Sequence, residues 1–186
     1  VENNMSILIK KRPEIIGVTG KARSGKDTVA EMIKKHLGNN NPTAIKSFAT
    51  PMKRFGDICF GWNDAIIEKE VVDARFGFSP REFYQKMGTE FMRDMMGEDT
   101  WVKIMKSRID NLPKHITYVI IPDVRFDNEA QFIRDNGGTL IEVIREDGDS
   151  VRGHVSENGV KRDLVHHLLE NNGSLEELNT KIKKTI

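Results

Sequence analysis

Gly20, Gly25 and Lys26 stand in the spacing G-x-x-x-x-G-K, within Gly20-Lys21-Ala22-Arg23-Ser24-Gly25-Lys26-Asp27-Thr28. Residue types in that order suit the binding of a polyphosphate. The glycines let the backbone turn tightly and aim several N–H groups at one anion. A helix starting at the lysine adds the positive end of its dipole, and Lys26 adds a full charge on a mobile stem. Gly20, Ser24, Gly25 and Lys26 are therefore expected around the β and γ phosphates of a nucleoside triphosphate, with Thr28 at an α-phosphate oxygen. Arg23 either folds over the triphosphate or stays in solvent. Asp27 stands where most such loops place a Ser or Thr on Mg2+. Thr28 lies about 100° further round the helix and cannot simply take over. Asp27 reads equally as a water-mediated ligand of Mg2+ and as a carboxylate favoured by the helix N-terminus.

A second group with chemical potential is Pro122-Asp123-Val124-Arg125-Phe126-Asp127-Asn128-Glu129. It follows an apolar run, at what would be the carboxyl end of a strand, where open α/β sheets bind ligands. Asp123 there can hold Mg2+, directly or through water. Arg125 can fork onto phosphate oxygens. The alternative is a surface loop in which Asp123 and Arg125 pair with each other or cap the next helix. Arginines placed after strands and on short helices suit phosphoryl transfer to an anionic acceptor, where positioning and charge neutralisation supply most of the catalysis.

These groups need a scaffold that delivers them to one edge. Ile15 to Thr19 reads as a buried strand, and Val29, Ala30, Ile33 and Leu37 give a helical stripe from Thr28 to Leu37. Thr43 to Phe48 reads as a second strand and Pro51 to Phe60 as a helix. Asp64 to Asp73 is a charged helical candidate. Pro80 to Met96 is a firmer one, with Ser79 as cap. Thr100 to Leu112 is helical, with Trp101, Ile104, Met105 and Ile109 on one face. Ile116 to Ile121 is strand, Asp127 to Asn136 a helix closed by Gly137-Gly138, and Thr139 to Ile144 strand. Val165 to Leu169 is read as a last strand. Ser174-Leu175-Glu176-Glu177 is a capping box for a terminal helix. Ser6 to Ile9 is read as a ragged extension of the first strand. Strands separated by helical patterns indicate a mostly parallel α/β sheet of about five strands. Trp62, Trp101, Met92, Met95 and Met96 are assigned to packing.

At 186 residues the chain is expected to be one domain with a sizeable core. Its 29 basic and 28 acidic residues leave a net charge near +1, so no overall field points to nucleic acid or membrane. The single cysteine, Cys59, excludes an internal disulfide framework and fits a reducing cytosol. No apolar run reaches the ~18 residues of a membrane span, and Val1 to Arg12 lacks the marks of a signal peptide. A guanine-reading N-K-x-D segment is missing, which argues against a GTP switch. A motor needs a longer chain and a further acidic motif.

At this point a resemblance becomes specific. The chain resembles the deoxynucleoside monophosphate kinases of bacteriophages, within the wider nucleoside monophosphate kinase fold. Four segments carry it: Gly20 to Ala30, Ser47 to Lys53 (SFATPMK), Phe83 to Asp94 (FYQKMGTEFMRD) with Thr100-Trp101-Val102, and Pro122 to Glu129 (PDVRFDNE). His154-Val155-Ser156-Glu157 and Asn172-Gly173-Ser174-Leu175 agree as well.

The resemblance implies a three-layer P-loop fold in one domain, 1–186, with a helical acceptor-binding region over about 50–112 and a lid-like segment over about 145–162. It implies transfer of the ATP γ-phosphate to a deoxynucleoside 5′-monophosphate (dNMP), with Mg2+ as cofactor. The implied setting is the cytoplasm, that of the host if the gene is phage-borne. ATP and a dNMP are the implied partners, with no nucleic acid or membrane, and a homodimer is left open. Gln85 and Arg93, a little over two turns apart on one helix, would read base and phosphate of the acceptor; Lys86 is read as a solvent-facing charge. Lys53, Arg125 and Glu129 join the acceptor site, Glu129 either touching ligand or orienting an arginine. Lys26, Arg93 and Arg125 are the expected catalytic charges. Phe83 or Tyr84 would stack on the acceptor base. Arg145, Arg152 and His154 flank the lid, with a plain surface loop open for Arg152 and loop hydrogen bonding for His154. Asn171 to Ser174 would pass beside the donor adenine. The competing readings are a kinase for another small phosphorylated metabolite, such as phosphomevalonate, and a non-catalytic nucleotide-binding switch.

Overall fold

The computed structural model describes residues 12–38, 41–63, 66–146 and 159–186. The apolar run Ile15 to Val18 forms β1 (Glu14–Thr19), buried from Ile15 onward. Its neighbours are β3 (Tyr118–Ile121) on one side and β4 (Thr139–Ile144) on the other. With β2 (Thr43–Ile45) and β5 (His167–Glu170) the five strands run in the order β2-β3-β1-β4-β5, every pair parallel. Parallel strands need crossovers. These carry α1 (Lys26–Gly38), α2 (Thr50–Phe60), α3 (Pro80–Gln85), a π-helix (Lys86–Met95), α4 (Thr100–Asp110) and α5 (Asp127–Asp135); α6 (Leu175–Thr185) follows the last strand.

The period-2 alternation of the strands sorts the core into two layers. Ile15, Val119, Ile121 and Leu140 pack with Trp101, Met105 and Ile109 of α4 and Ala130, Phe132 and Ile133 of α5. Ile16, Val18, Ile120, Ile141 and Val143 pack with Val29, Ala30 and Ile33 of α1 and Leu178 and Ile182 of α6. The three-layer α/β architecture expected from the sequence is thus present. The α6 capping box forms as read: Ser174 Oγ accepts from Glu177 N–H and Glu177 accepts from Ser174 N–H.

Three local expectations need correction. Residues 66–73 run as turns rather than a helix and end in an isolated antiparallel bridge between Asp73 and Phe78. The Asp73 carboxylate accepts from Trp62 Nε1 at 2.9 Å and from Arg75 Nε at 3.0 Å, and such local polar bonds compete with helix formation. The Pro80 to Met96 segment starts as an α-helix capped by Ser79, then continues as a π-helix from Lys86. Met95 and Met96 are exposed, at 75% and 62%, and do not belong to the core. A π-helix bonds i to i+5, so faces read at 3.6 residues per turn drift off target along it. Trp62, Trp101 and Met92 pack as expected. Residues Ser6 to Ile9 lie outside the described residues.

Trp62 anchors an aromatic group over the cleft side of α2 and α3. It stacks on Phe60 with centroids 4.4 Å apart and meets Phe83 at 5.5 Å and Tyr84 at 6.0 Å. Hydrogen bonds from Arg75 and Trp62 hold the Asp73 carboxyl well below its usual 3.8. Folding therefore favours the ionised form. The stability it lends is present above about pH 4 and is lost as the pH falls further. Acidification from about pH 4 to pH 2 should progressively ease opening of the Trp62 indole N–H, seen as solvent exchange of its NMR resonance that speeds relative to Trp101, while the bond itself stays formed in the folded protein. Asp73→Asn should remove the step.

Candidate active site

The turn after β1 is shaped by its glycines. Gly20 takes φ 138°, and a Cβ there would lie 2.4 Å from the Val143 carbonyl oxygen. Gly25 takes φ 94°, and a Cβ there would lie 2.4 Å from Asn171 Nδ2. Between them Arg23 holds the left-handed region at φ 61°, a conformation that costs a non-glycine residue about 1–3 kcal/mol. Ser24 is buried, and its Oγ has no hydrogen-bond partner among the described residues. Lys26 Nζ donates to the carbonyls of Gly20 at 2.7 Å and Lys21 at 2.6 Å, curling over the loop. Asn171 Nδ2 donates to the Ser24 carbonyl at 2.8 Å, tying the turn after β5 to this loop.

A cleft of about 1000 Å3 opens beside the loop. Arg23, Lys26 and Asp27 line it from the loop, Lys53 and Arg54 from α2, Tyr84 and Gln85 from α3, and Asp123 and Arg125 from the turn after β3. Arg93 and Glu129 form part of its wall. Lys26 and Arg125 thus face one continuous space. A smaller pocket of about 300 Å3 takes Gly25 and Thr28 together with Arg145, Asn171, Asn172 and Gly173. Arg152 and His154 lie outside the described residues, as does most of the segment read as a lid.

Asp123 is an anchor. One carboxylate oxygen accepts from the Phe48 N–H at 2.9 Å; the other accepts from Ser47 Oγ at 2.6 Å and the Ala49 N–H at 2.9 Å. The carboxylate thereby fixes the turn that leads into α2 and its Lys53. Arg108 of α4 completes the anchor by donating to the Ser47 carbonyl at 2.6 Å. Burial pushes the Arg108 guanidinium down, and the charge of Asp123 opposes that. Ser47 and Arg108 were not singled out from the sequence. Ser47 lies in a segment that carries the resemblance, whereas Arg108 carries no local signal beyond its charge on the helix α4.

Arg93 is set into the wall of the cleft. It is 6% exposed and forms an ion pair with Glu129, whose side chain is 4% exposed. A further guanidinium nitrogen donates to the Glu98 carbonyl at 3.2 Å and Asn128 Oδ1 at 3.3 Å. The guanidinium lies 3.6 Å from the centroid of the Phe126 ring. Burial lowers the Arg93 guanidinium and pushes the Glu129 carboxyl up to about 7; two backbone N–H donors and the Arg93 charge pull Glu129 the other way. The side chain expected on an acceptor phosphate is engaged inside the wall. Of the two aromatic candidates, Tyr84 lines the cleft, whereas Phe83 packs against Phe55, Phe60 and Trp62. Lys86 pairs with Glu82 at 2.9 Å on the exposed face, as read.

Among the described residues no three His, Cys, Asp or Glu side chains cluster to hold a metal. A protein cage is not what Mg2+ needs beside a polyphosphate. The ion commonly takes one or two carboxylates, substrate phosphates and waters. Asp27, exposed on the cleft wall, fits that demand.

A family model described as deoxynucleotide monophosphate kinase matches residues 55–182. A protein of Acanthamoeba polyphaga mimivirus with the same description is 33% identical over 189 residues, covering 90% of this chain and 93% of its own. The deoxynucleotide monophosphate kinase of Enterobacteria phage T4 is 34% identical over 110 residues, covering 59% of this chain and 46% of its own. The deoxynucleoside-5′-monophosphate kinase of Escherichia phage T5 is 24% identical over 84% of this chain and 89% of its own. Among solved structures, the APS kinase CysC of Mycobacterium tuberculosis in complex with AMPPNP and APS superposes with a TM-score of 0.50 at 12% identity, covering 93% of this chain and 96% of its own. That likeness bears on the fold.

Asp123→Ala leaves the Phe48 and Ala49 N–H groups without their acceptor. It should destabilise the protein by about 1–3 kcal/mol in urea unfolding, and speed amide exchange at Phe48 and Ala49 ahead of the sheet.

Proposed function

The chain belongs to the deoxynucleotide monophosphate kinase family, and on that footing we propose that it transfers the γ-phosphate of ATP to a deoxynucleoside 5′-monophosphate, giving ADP and a deoxynucleoside diphosphate. The observation that carries this reading is the shared cleft. The phosphate loop with Lys26 and the turn with Arg125 line one space, large enough for two phosphorylated molecules to meet end to end.

In this reading the N–H groups of Gly20 to Lys26 and the Lys26 ammonium hold the triphosphate, with Arg23 over it and Ser24 Oγ supplying a further bond. Thr28, Arg145 and Asn171 to Gly173 surround the donor nucleoside in the smaller pocket. Arg125 and Lys53 hold the acceptor phosphate, and Tyr84 and Gln85 meet its base. The acceptor needs no general base, because a monophosphate is already largely a dianion at neutral pH. Mg2+ would be held by the ATP phosphates with Asp27 through water, and when bound it neutralises phosphate charge. Asp123, with both oxygens engaged, acts by fixing the Ser47 to Ala49 turn. The segment around 145–162 is proposed to close over the donor, and the helical stretch around 50–112 to form the acceptor wall of the single catalytic domain. Transfer would take place in a reducing cytoplasm, that of the host where the gene is viral.

Release of ADP, measured with a panel of dNMPs, phosphomevalonate and no acceptor, tests the proposal. Turnover with a dNMP and none with phosphomevalonate is the expected result. Turnover only with phosphomevalonate, or nucleotide binding with no acceptor-dependent turnover, would reject it. Lys26→Ala should lower kcat at least about a hundredfold while leaving the circular dichroism spectrum and the melting temperature close to wild type.

A further inference from the structure

The Arg93–Glu129 pair joins two walls of the cleft through one carboxylate. Glu129 is the third residue of α5, whose N-cap is Phe126. One of its oxygens accepts from the Arg125 N–H at 2.8 Å and the Phe126 N–H at 3.2 Å. The other accepts from Arg93 on the π-helix. The Arg93 guanidinium covers the Phe126 ring and reaches Asn128, whose Nδ2 donates to the Glu98 carbonyl at 2.9 Å and Asp99 Oδ1 at 3.0 Å. The donors Arg125 and Phe126 thus belong to the turn after β3, and the donor Arg93 to the helical stretch that presents Gln85, Gly88 and Thr89 to the cleft. We propose that Glu129 and Arg93 are positioning residues, a clamp that couples the acceptor-facing helix to the placement of Arg125. The inference rests on the kinase reading above.

The chemistry of the two groups explains why neither is exchangeable. Glu129 must accept on both oxygens at once. A glutamine presents an acceptor on one side only, so its amide donors face either the guanidinium or the two backbone N–H groups. Arg93 must fork to Glu129, Asn128 and the Glu98 carbonyl while lying flat on Phe126. Lysine keeps the charge and loses the fork and the stacking plane. Either change shifts Arg125 without removing it. A reacting group displaced by about 1 Å costs on the order of a hundredfold in rate.

Two measurements test the clamp. The first is amide exchange at Arg125 and Phe126. Glu129→Gln and Arg93→Lys should each speed it at least about tenfold while β1 and β3 amides keep wild-type rates. Unchanged exchange in Arg93→Lys would overturn the link between the walls. The second is a kinetic cycle with Arg125→Ala. Glu129→Gln alone should lower kcat about ten- to a hundredfold with the KM for ATP unchanged. In the Arg125→Ala background it should lower kcat less than about twofold further. Losses that multiply would overturn the positioning role, since Glu129 would then act independently of Arg125. A wild-type protein without dNMP turnover would reject the kinase reading instead, and the exchange measurement would still judge the clamp.

Discussion

Two phosphate groups repel each other, and a site that joins them must gather positive charge and N–H donors at one edge. The pairing of β1 with β3 makes that possible here. Parallel register sets Gly17 opposite Ile121, so both strands end at the same edge of the sheet. The turn after β1 becomes the phosphate loop, and the turn after β3 carries Asp123 and Arg125. Both β1 and β3 are buried on both faces by helices, which leaves their ends free to meet ligand. The chemistry sits where the fold runs out of side-chain packing.

From that edge outward, positioning is done by acidic groups. Asp123 accepts two backbone N–H groups and one hydroxyl from the approach to α2. Glu129 accepts two backbone N–H groups at the start of α5 and one guanidinium. Each carboxylate therefore shapes a loop that carries a cation toward the cleft, Lys53 in one case and Arg125 in the other. Asp123 and Glu129 spend their charge on the protein, and Lys26, Lys53, Arg54 and Arg125 line the same space. Buried ion pairs are weak evidence of net stability. Their contribution here lies in geometry.

The sequence disclosed what is local. The phosphate loop is a contiguous run with a fixed spacing, and the run after β3 follows an apolar β-branched strand, so both are legible in the sequence. Four of the strands and four of the helices fall close to the limits read from hydrophobic period; β2, read as Thr43 to Phe48, stops at Ile45, and beyond it the Phe48 and Ala49 N–H groups turn to Asp123. The anchor made by Ser47, Arg108 and Asp123 was not legible in full, because its members meet only when α4 packs on the sheet. Arg93 was legible as a charge near the site, and it stands in the cleft wall paired with Glu129. Its helix changes from α to π at Lys86, and a face assigned at 3.6 residues per turn drifts along it. Met95 and Met96 fail for the same reason. The 66–73 stretch failed because Asp73 and Trp62 replace helical hydrogen bonds with side-chain ones.

The bond from Asn171 to the Ser24 carbonyl has a consequence for how the protein is made. The loop is finished by a residue encoded 147 positions after Ser24. β1 likewise waits for β3 and β4, its two partners in the sheet. During synthesis the early segments would leave the ribosome without the strands they pair with, exposing Ile15 to Val18 until distant sequence arrives. The phosphate loop would then take its finished shape only after the strands that flank β1 and the turn after β5 are in place.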